Sequence, residues 1–269
     1  MKANSRPPLI AWMVQSFALL QAVALWGACD LAQAGGITVS PVIIEMNSPR
    51  KPVAVTITND NDHPLRLQSA GLVWRQQGGR DRYDPTDDVL VVPAIVEVPA
   101  HSSQVFRVAL RQPSTSPIER TYRVMLEDIS DAPPAAESGG PGGNAIALRF
   151  NHNLALMVSP ASKIVQTVHW ATCSSETAVT TDKLSPAQVT GQACVRVRNT
   201  GNRRLKVQKL TISGDGWQQT LALKDGFNLL AGADREWILP LNAGQLNPVR
   251  SLQVETAQGQ SLKGEADAP

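Results

Sequence analysis

Beyond about residue 36, the chain is built from short runs in which apolar and polar residues alternate. In one run, Val53, Val55 and Ile57 alternate with Ala54, Thr56 and Thr58 before a cluster of Asn and Asp at 59–62. A period of two places successive side chains on opposite faces of a β-strand, and turn residues bound each run. No later stretch keeps a helical period over three turns. The pattern therefore predicts an all-β chain of the sandwich type.

The length and apolar content allow two such sandwiches. The chain has 269 residues, of which 42% are hydrophobic, enough for two ordinary cores. Ser159-Pro160 follows a long apolar run, and proline cannot donate to a strand ladder. We therefore expect one domain over 35–158 and a second over 159–255. The polar, Gly- and Ala-rich segment 256–269 is expected to be a mobile tail.

The N-terminus has the features of a secretory signal peptide over 1–34. Lys2 and Arg6 precede an apolar stretch, and Ala32-Gln33-Ala34 supplies the small residues of a cleavage site. The alternative is a membrane anchor, because the stretch is nearly long enough to span a bilayer. Cleavage would leave no integral membrane segment.

An exported chain meets an oxidising compartment, where an even number of cysteines favours disulfides. Cleavage of the signal peptide would leave two cysteines, Cys173 and Cys194. We therefore expect one structural disulfide between them. Two buried thiols that never meet are the alternative.

Composition and motifs argue against several classes of function. The net charge of +2 gives no electrostatic reason to expect nucleic acid or anionic lipid as a partner. The four histidines and three cysteines show no metal-ligand spacing, so we expect neither a metal nor another cofactor. Neither a G-x-S-x-G elbow nor an H-E-x-x-H motif occurs. The chain is not expected to be an enzyme.

The end of the first predicted domain is unusual. Residues 130–144 are rich in Pro and Gly and favour an irregular loop. The next run, 145–158, is long for a strand and carries large apolar residues at even positions, interrupted only by His152. At a sheet edge such a row would recruit another chain. As an internal strand it would face its own core, and spacing alone leaves both possibilities open.

Six segments occur in an order and spacing that are fairly specific when taken together. They are Ile37-Thr38-Val39-Ser40-Pro41, Thr58-Asn59-Asp60-Asn61, Asp81-Arg82-Tyr83-Asp84-Pro85-Thr86-Asp87-Asp88, Tyr122-Arg123-Val124-Met125-Leu126-Glu127-Asp128-Ile129, Leu148-Arg149-Phe150 and Val197-Arg198-Asn199-Thr200-Gly201-Asn202. From Ile37 to about Leu241 the chain thereby resembles the PapD-like periplasmic chaperones of chaperone–usher pilus assembly, and the stretch from Trp74 to Asp88 and the Leu148-Arg149-Phe150 motif are most similar to the archaic branch of that family.

The resemblance implies two immunoglobulin-like β-sandwich domains set at an angle. It also implies a function: the last strand of the first domain is lent to a pilus subunit that lacks its own final strand, and an outer-membrane usher then receives the subunit. This is donor-strand complementation, a form of β-augmentation. The implied partners are therefore pilus subunits and an usher, and the implied location is the periplasm. A structural pilus subunit or secreted adhesin with the same sandwiches is the alternative.

Carried over by a gap-free count from Pro160, the three donor positions of the family fall on Ile146, Leu148 and Phe150. The same type of count puts the two basic positions that anchor the subunit carboxylate in most members on Ile43 and Ala155. Neither residue can pair with a carboxylate, so the usual anchor is absent.

Three arginines are the candidates for a replacement anchor, because a guanidinium suits a carboxylate through its bidentate fork. They are, in order of preference, Arg123, Arg149 and Arg107. For each of them the alternative is an ordinary sheet arginine that is solvated or paired with a nearby acid such as Glu127.

Overall fold

A computed structural model describes residues 36–47, 51–131, 149–173, 191–241 and 248–267. Eighteen strands and no helix occur in these ranges, so the predicted all-β fold class is confirmed. Consequently, the described residues contain no helix able to cross a membrane. The predicted signal peptide at 1–34 lies outside them.

The first ten strands, β1 to β10, form the first sandwich. Their bounds are Ile37–Ser40, Ile43–Met46, Val53–Asn59, Leu65–Gln77, Arg80–Pro85, Val89–Val92, Ile95–Val98, Ser102–Leu110, Arg120–Asp128 and Asn151–Val158. One sheet has the order β1-β3-β8-β6, and the other has the order β2-β10-β9-β4-β5 with β7 also paired to β4. The inward residues of both sheets share one core, which includes Ile57, Phe106 and Leu126.

Strands β11 to β18 form the second sandwich. Their bounds are Val168–Thr172, Gly191–Asn199, Leu205–Gly214, Trp217–Leu229, Asp234–Leu241, Ser251–Thr256, Ser261–Lys263 and Glu265–Ala266. The two sheets have the orders β15-β12-β11-β18 and β14-β13-β16-β17. They enclose a second core that includes Val195, Leu210 and Trp237.

The second core extends onto one sheet of the first sandwich. Trp74, Ala155 and Met157 are buried together with residues of the second sandwich. All three lie on the face of the β2-β10-β9-β4-β5 sheet that points away from the first core, because their strand neighbours Val73, Leu154, Leu156 and Val158 pack in the first core and successive side chains of a strand point to opposite faces. This face therefore meets the second sandwich at one end of its strands.

A charged network also connects the two sandwiches. The carboxylate of Glu119 is almost completely buried, accepts a hydrogen bond from the backbone N–H of Arg204 at 2.8 Å, and lies 3.5 Å from Nε of Arg203. Nη2 of Arg204 reaches Glu45 on β2 at 2.8 Å. Burial raises the pKa of Glu119, and the two arginines oppose that rise. A buried carboxylate needs such partners, because without them its charge is costly.

Cys173 and Cys194 are bonded to each other, with an S–S distance of 1.98 Å. The bond lies where β12 passes the end of β11, and the backbone N–H of Cys173 also donates to the carbonyl of Cys194 at 3.1 Å. Cys194 is itself buried.

The expectation of a mobile tail after residue 255 is wrong for the described part of that segment. Strand β17 pairs antiparallel with β16, and β18 pairs parallel with β11. Leu262 packs against the second core, and both ring nitrogens of His169 lie 3.2 Å from carboxylate oxygens, those of Glu265 and Asp267. Composition did not reveal this because the strands have few apolar residues and depend on distant partners.

Gly264 provides a test of how the C-terminal strands pack. A Cβ on this glycine would lie 2.8 Å from Cδ1 of Trp170 and 3.0 Å from Cδ2 of Leu252. Gly264→Ala is therefore expected to cost about 1–3 kcal/mol of unfolding free energy through overpacking. Gly36→Ala is the control, with no atom within 4 Å of the added Cβ, and should change stability by less than about 0.5 kcal/mol. Urea unfolding measures both, and equal midpoints would contradict the packing of this segment.

His152 provides a test of pH dependence. Burial lowers its pKa in the folded chain, and Nε2 is buried without a hydrogen-bond partner among the described residues. The unfolded chain, in which the pKa is about 6.5, therefore takes up more protons as the pH falls below that value, and stability decreases. We expect His152→Leu to reduce the loss of stability between about pH 7 and about pH 5.

The measurement is the urea midpoint of each variant at several pH values in that interval. His63→Gln is the control, because His63 is exposed, and this variant should keep the part of the pH dependence that His152 causes. A wild-type slope in His152→Leu would contradict the assignment.

Candidate binding edge and carboxylate anchor

Strand β10 is paired along its full length on one side only. All eight of its residues pair with β9, from Asn151 opposite Glu127 to Val158 opposite Arg120. On the other side, β2 pairs only with the last four, starting with Ile43 beside Ala155. Among the described strands, residues 151–154 thus have an open edge. Such an edge offers unpaired backbone groups to an added strand.

Of the three predicted donor residues, only Phe150 lies in the described part of the chain. It immediately precedes β10, its carbonyl accepts a hydrogen bond from the backbone N–H of Asp128 at 3.3 Å, and its side chain is 53% exposed. Ile146 and Leu148 lie outside the described residues. Further along, Leu154 and Leu156 are buried in the first core. The apolar row at even positions therefore belongs to the core at its C-terminal end and reaches solvent at Phe150.

Four residues lie side by side where the open edge ends, and we call them the anchor row: Ile43, Ala155, Arg123 and Leu72. Ala155 pairs with Ile43 on β2 and with Arg123 on β9, and Arg123 pairs with Leu72 on β4. Directly paired residues project from the same face of a sheet. Arg123 thus shares a face with Ile43 and Ala155, the two residues on which the resemblance puts the basic anchor positions.

The guanidinium of Arg123 lies on aromatic rings and has little hydrogen bonding. Its Cζ is 3.9 Å from the ring centroid of Trp74 and 5.5 Å from that of Tyr83. Nη1 makes one long contact, 3.4 Å, with the carbonyl of Asn153. The Tyr83 side chain also interacts with Arg123, because burial raises the pKa of Tyr83 and the charge and hydrogen bonding of Arg123 oppose that rise. Nε is buried without a partner, and no described carboxylate lies within 4.0 Å of the guanidinium. The side chain therefore has N–H groups available for a further acceptor.

The rings beside Arg123 are fixed by one carboxylate. Oδ1 of Asp81 accepts hydrogen bonds from Nε1 of Trp74 at 3.0 Å and Nε2 of Gln76 at 2.9 Å, and Oδ2 accepts from the hydroxyl of Tyr83 at 3.2 Å. We call these four residues the Asp81 cluster. The sequence analysis did not assign them a role, although all four are in the stretch most similar to the archaic branch.

The other two candidate arginines are placed differently. Arg107 is exposed on β8, where it pairs with Ala54 and Val92 in the sheet that does not contain the anchor row. Arg149 is exposed ahead of β10. The structure therefore brings only Arg123 into line with Ile43 and Ala155.

The first sandwich, which contains the open edge and the anchor row, matches a known protein family. Residues 36–163 match the family model of pili and flagellar-assembly chaperones, PapD N-terminal domain. None of the curated proteins matches the chain at a significant level.

Similar solved structures include the CsuC–CsuE chaperone–tip adhesion subunit pre-assembly complex from archaic chaperone–usher Csu pili of Acinetobacter baumannii. It has a TM-score of 0.60 at 12% identity and covers 87% of this chain and 100% of that chain. The class 5 fimbriae chaperone CfaA has a TM-score of 0.59 at 12% identity, with the same coverage. The Salmonella enterica SafA pilin–SafB chaperone complex has a TM-score of 0.52 at 13% identity and covers 86% and 97%.

At these identities the structural likenesses establish the fold, that of two-domain chaperones with immunoglobulin-like sandwiches. The family model covers β1 to β10, the strands that contain the open edge and the anchor row. The first sandwich is therefore a PapD N-terminal domain of the pili and flagellar-assembly chaperone type, the domain that the family model describes over residues 36–163.

Proposed function

We propose that this protein is a periplasmic chaperone that binds pilus subunits by donor-strand complementation and delivers them to an outer-membrane usher. The observation that carries the proposal is the half-paired β10. This strand has an open edge over 151–154 and an exposed Phe150 just before it, and the edge ends at the anchor row.

The physical basis is the incomplete fold of the guest. A subunit without its final strand exposes an apolar groove and unpaired backbone groups, which are costly to bury alone. A lent strand satisfies those backbone groups and fills the groove. Ile146, Leu148 and Phe150 are the proposed donor side chains, and burying each of them contributes on the order of 2 kcal/mol.

The direction of β2 suggests how the guest strand runs. β2 pairs parallel to β10, and its first paired residue, Ile43, stands where the open edge ends. A guest strand that lies on this edge and also runs parallel to β10 has its C-terminus at Ile43. Its terminal carboxylate then arrives at the anchor row, on which Arg123 is the cation.

Arg123 is the proposed anchor for that carboxylate. Its guanidinium can form a bidentate pair, and its partial burial strengthens the charge-assisted hydrogen bonds. Arg149 is the second candidate and Arg107 the third, because both are exposed and neither lies on the anchor row.

The similar structures support the choice of partner. Two of them contain a chaperone with its subunit, CsuC with CsuE and SafB with SafA. The match to the PapD N-terminal domain and the predicted signal peptide support the usher as recipient and the periplasm as location. The function needs no cofactor and no chemical step.

A double substitution in the proposed donor segment tests the strand donation. Wild-type protein co-expressed with a pilus subunit encoded in the same genome should yield a soluble one-to-one complex. Leu148→Asp with Phe150→Asp removes two apolar contacts, about 4 kcal/mol together, or roughly a thousandfold in affinity. Size-exclusion chromatography should then recover no complex.

The matched control is Val105→Asp, because Val105 is also an exposed apolar residue but lies on β8 in the other sheet. This variant should still yield the complex. Recovery of a normal complex by the double variant would contradict strand donation by this segment.

Substitution of the anchor arginine tests the carboxylate contact. Arg123→Gln removes the charge but keeps much of the side-chain length. We expect complex recovery to fall, because a hydrogen bond to a charged group contributes about 1.5–3 kcal/mol. The urea midpoint of the free protein, measured in parallel, shows that the loss does not come from unfolding.

Arg107→Gln and Arg149→Gln are the comparison variants and should retain wild-type recovery. If Arg149→Gln lowers recovery while Arg123→Gln does not, the anchor is Arg149 instead. If none of the three variants changes recovery, the proposed contact between arginine and carboxylate is wrong.

A further inference from the structure

We propose that Asp81 is a positioning residue for Arg123: it fixes the rings on which the guanidinium lies and leaves the guanidinium N–H groups free for the subunit carboxylate. This inference rests on the proposed function and adds a residue that acts on the anchor without touching the subunit.

The carboxylate of Asp81 is engaged by three neighbouring side chains. It accepts three hydrogen bonds, all from neutral donors: Trp74 Nε1 at 3.0 Å, Gln76 Nε2 at 2.9 Å and the Tyr83 hydroxyl at 3.2 Å. Hydrogen bonds of this number and type hold a carboxylate in one orientation. They also hold both aromatic side chains by their polar atoms.

The rings of Trp74 and Tyr83 hold the guanidinium of Arg123 in place. A guanidinium 3.9 Å from the centroid of Trp74 and 5.5 Å from that of Tyr83 is attracted by both ring faces. Trp74 is only 2% exposed, so the attraction to its ring acts in a largely dry environment, whereas Tyr83 is exposed and its ring contributes less. The position of the guanidinium therefore depends on the orientation of the two rings, and that orientation depends on Asp81.

Asp81 could compete with the guest carboxylate for Arg123 but does not pair with it. Asp81 is the nearest acid to the rings that carry Arg123, yet no ion pair within 4.0 Å joins it to Arg123 among the described residues. An acid bonded to Arg123 would occupy the N–H groups that a guest carboxylate needs. Because three neutral donors already engage Asp81, it orients the site without neutralising the arginine.

The second sandwich also contributes to the orientation of Asp81. The side-chain amide of Gln76 donates from Nε2 to the carbonyl of Asn228 at 2.7 Å, and its Oε1 accepts from the backbone N–H of Leu230 at 2.9 Å. Gln76 thus connects Asp81 to the end of β14. Arg235 of the same sandwich has its pKa lowered by burial, and Asp81 opposes that shift.

Acetate is a suitable probe, because it presents the carboxylate without the rest of a subunit. In the full-length mature protein, the ¹⁵Nε–H signal of Arg123 can be followed by NMR, with Arg123→Gln identifying the resonance. We expect the signal to shift saturably with sodium acetate and not with sodium chloride. In Asp81→Leu, the apparent affinity for acetate should be weaker by about fivefold or more, the effect of losing one cation–π arrangement.

Two variants serve as controls. Asp84→Leu removes another acid from β5, one that forms an exposed pair with Arg75, and should leave the acetate response unchanged. Asp81→Asn keeps an oxygen that can accept from Trp74 and Gln76 and should restore most of the affinity. If Asp81→Leu does not fold, Asp81→Ala replaces it with the same expectation.

The acetate titration distinguishes the positioning role of Asp81 from the anchor role of Arg123. An acetate response in Asp81→Leu equal to wild type, even with a lower urea midpoint, overturns the positioning role and leaves the proposed anchor intact. The absence of any acetate response at Arg123 in the wild-type protein overturns the anchor and the positioning role together. Strand donation is tested separately by the Leu148 and Phe150 variant.

Discussion

The uneven pairing of β10 is the constraint on which the other features depend. Its C-terminal half, residues 155–158, is held on both sides, by β9 and β2, and buries Leu156 and Val158 in the first core. Its N-terminal half is held by β9 alone. A strand fixed at one end in this way can present an ordered edge to a partner. Its packing in the core already offsets the conformational entropy that is lost when the strand is ordered, so binding does not have to offset it again. A pilus subunit without its final strand lacks such ordered backbone partners, and in the proposed complex β10 supplies them.

In the proposed anchor, the cation lies on a different strand from the two that the resemblance implies. Ile43 on β2 and Ala155 on β10 occupy the two implied basic positions, and Arg123 on β9 lies beside them. In the proposed complex, Arg123 must reach toward the guest carboxylate, and a long side chain that moves freely loses entropy on binding. Stacking on Trp74 and Tyr83 reduces that freedom before the guest arrives. The rings of Trp74 and Tyr83 therefore contribute to the proposed anchor by restricting the side chain of Arg123.

The sequence predicted the strands well and the contacts between distant segments poorly. Alternation along Val53, Val55 and Ile57 is a local property, so the strand and its buried face could be predicted from it. Strands β17 and β18 were missed because Gly264 packs against Trp170 and Leu252, which lie far away in the sequence. The Asp81 cluster was missed for a similar reason. Neither Gln76 nor Asp81 has a distinctive pattern, and their significance appears only when Trp74, Tyr83 and Asn228 are brought beside them.

The sheet that contains β10 has a second edge strand, β5, and the two edges differ in a way that favours recruitment at β10. All six residues of β5 are exposed, and they include four charged side chains and a proline. Charges and proline on an edge discourage pairing with other chains. The open edge of β10 instead carries Asn151, Asn153 and, just before the strand, the exposed Phe150. The same sheet thus has one edge whose charges and proline discourage pairing and one that is open at residues 151–154, and this difference supports β10 as the edge at which the proposed guest strand binds.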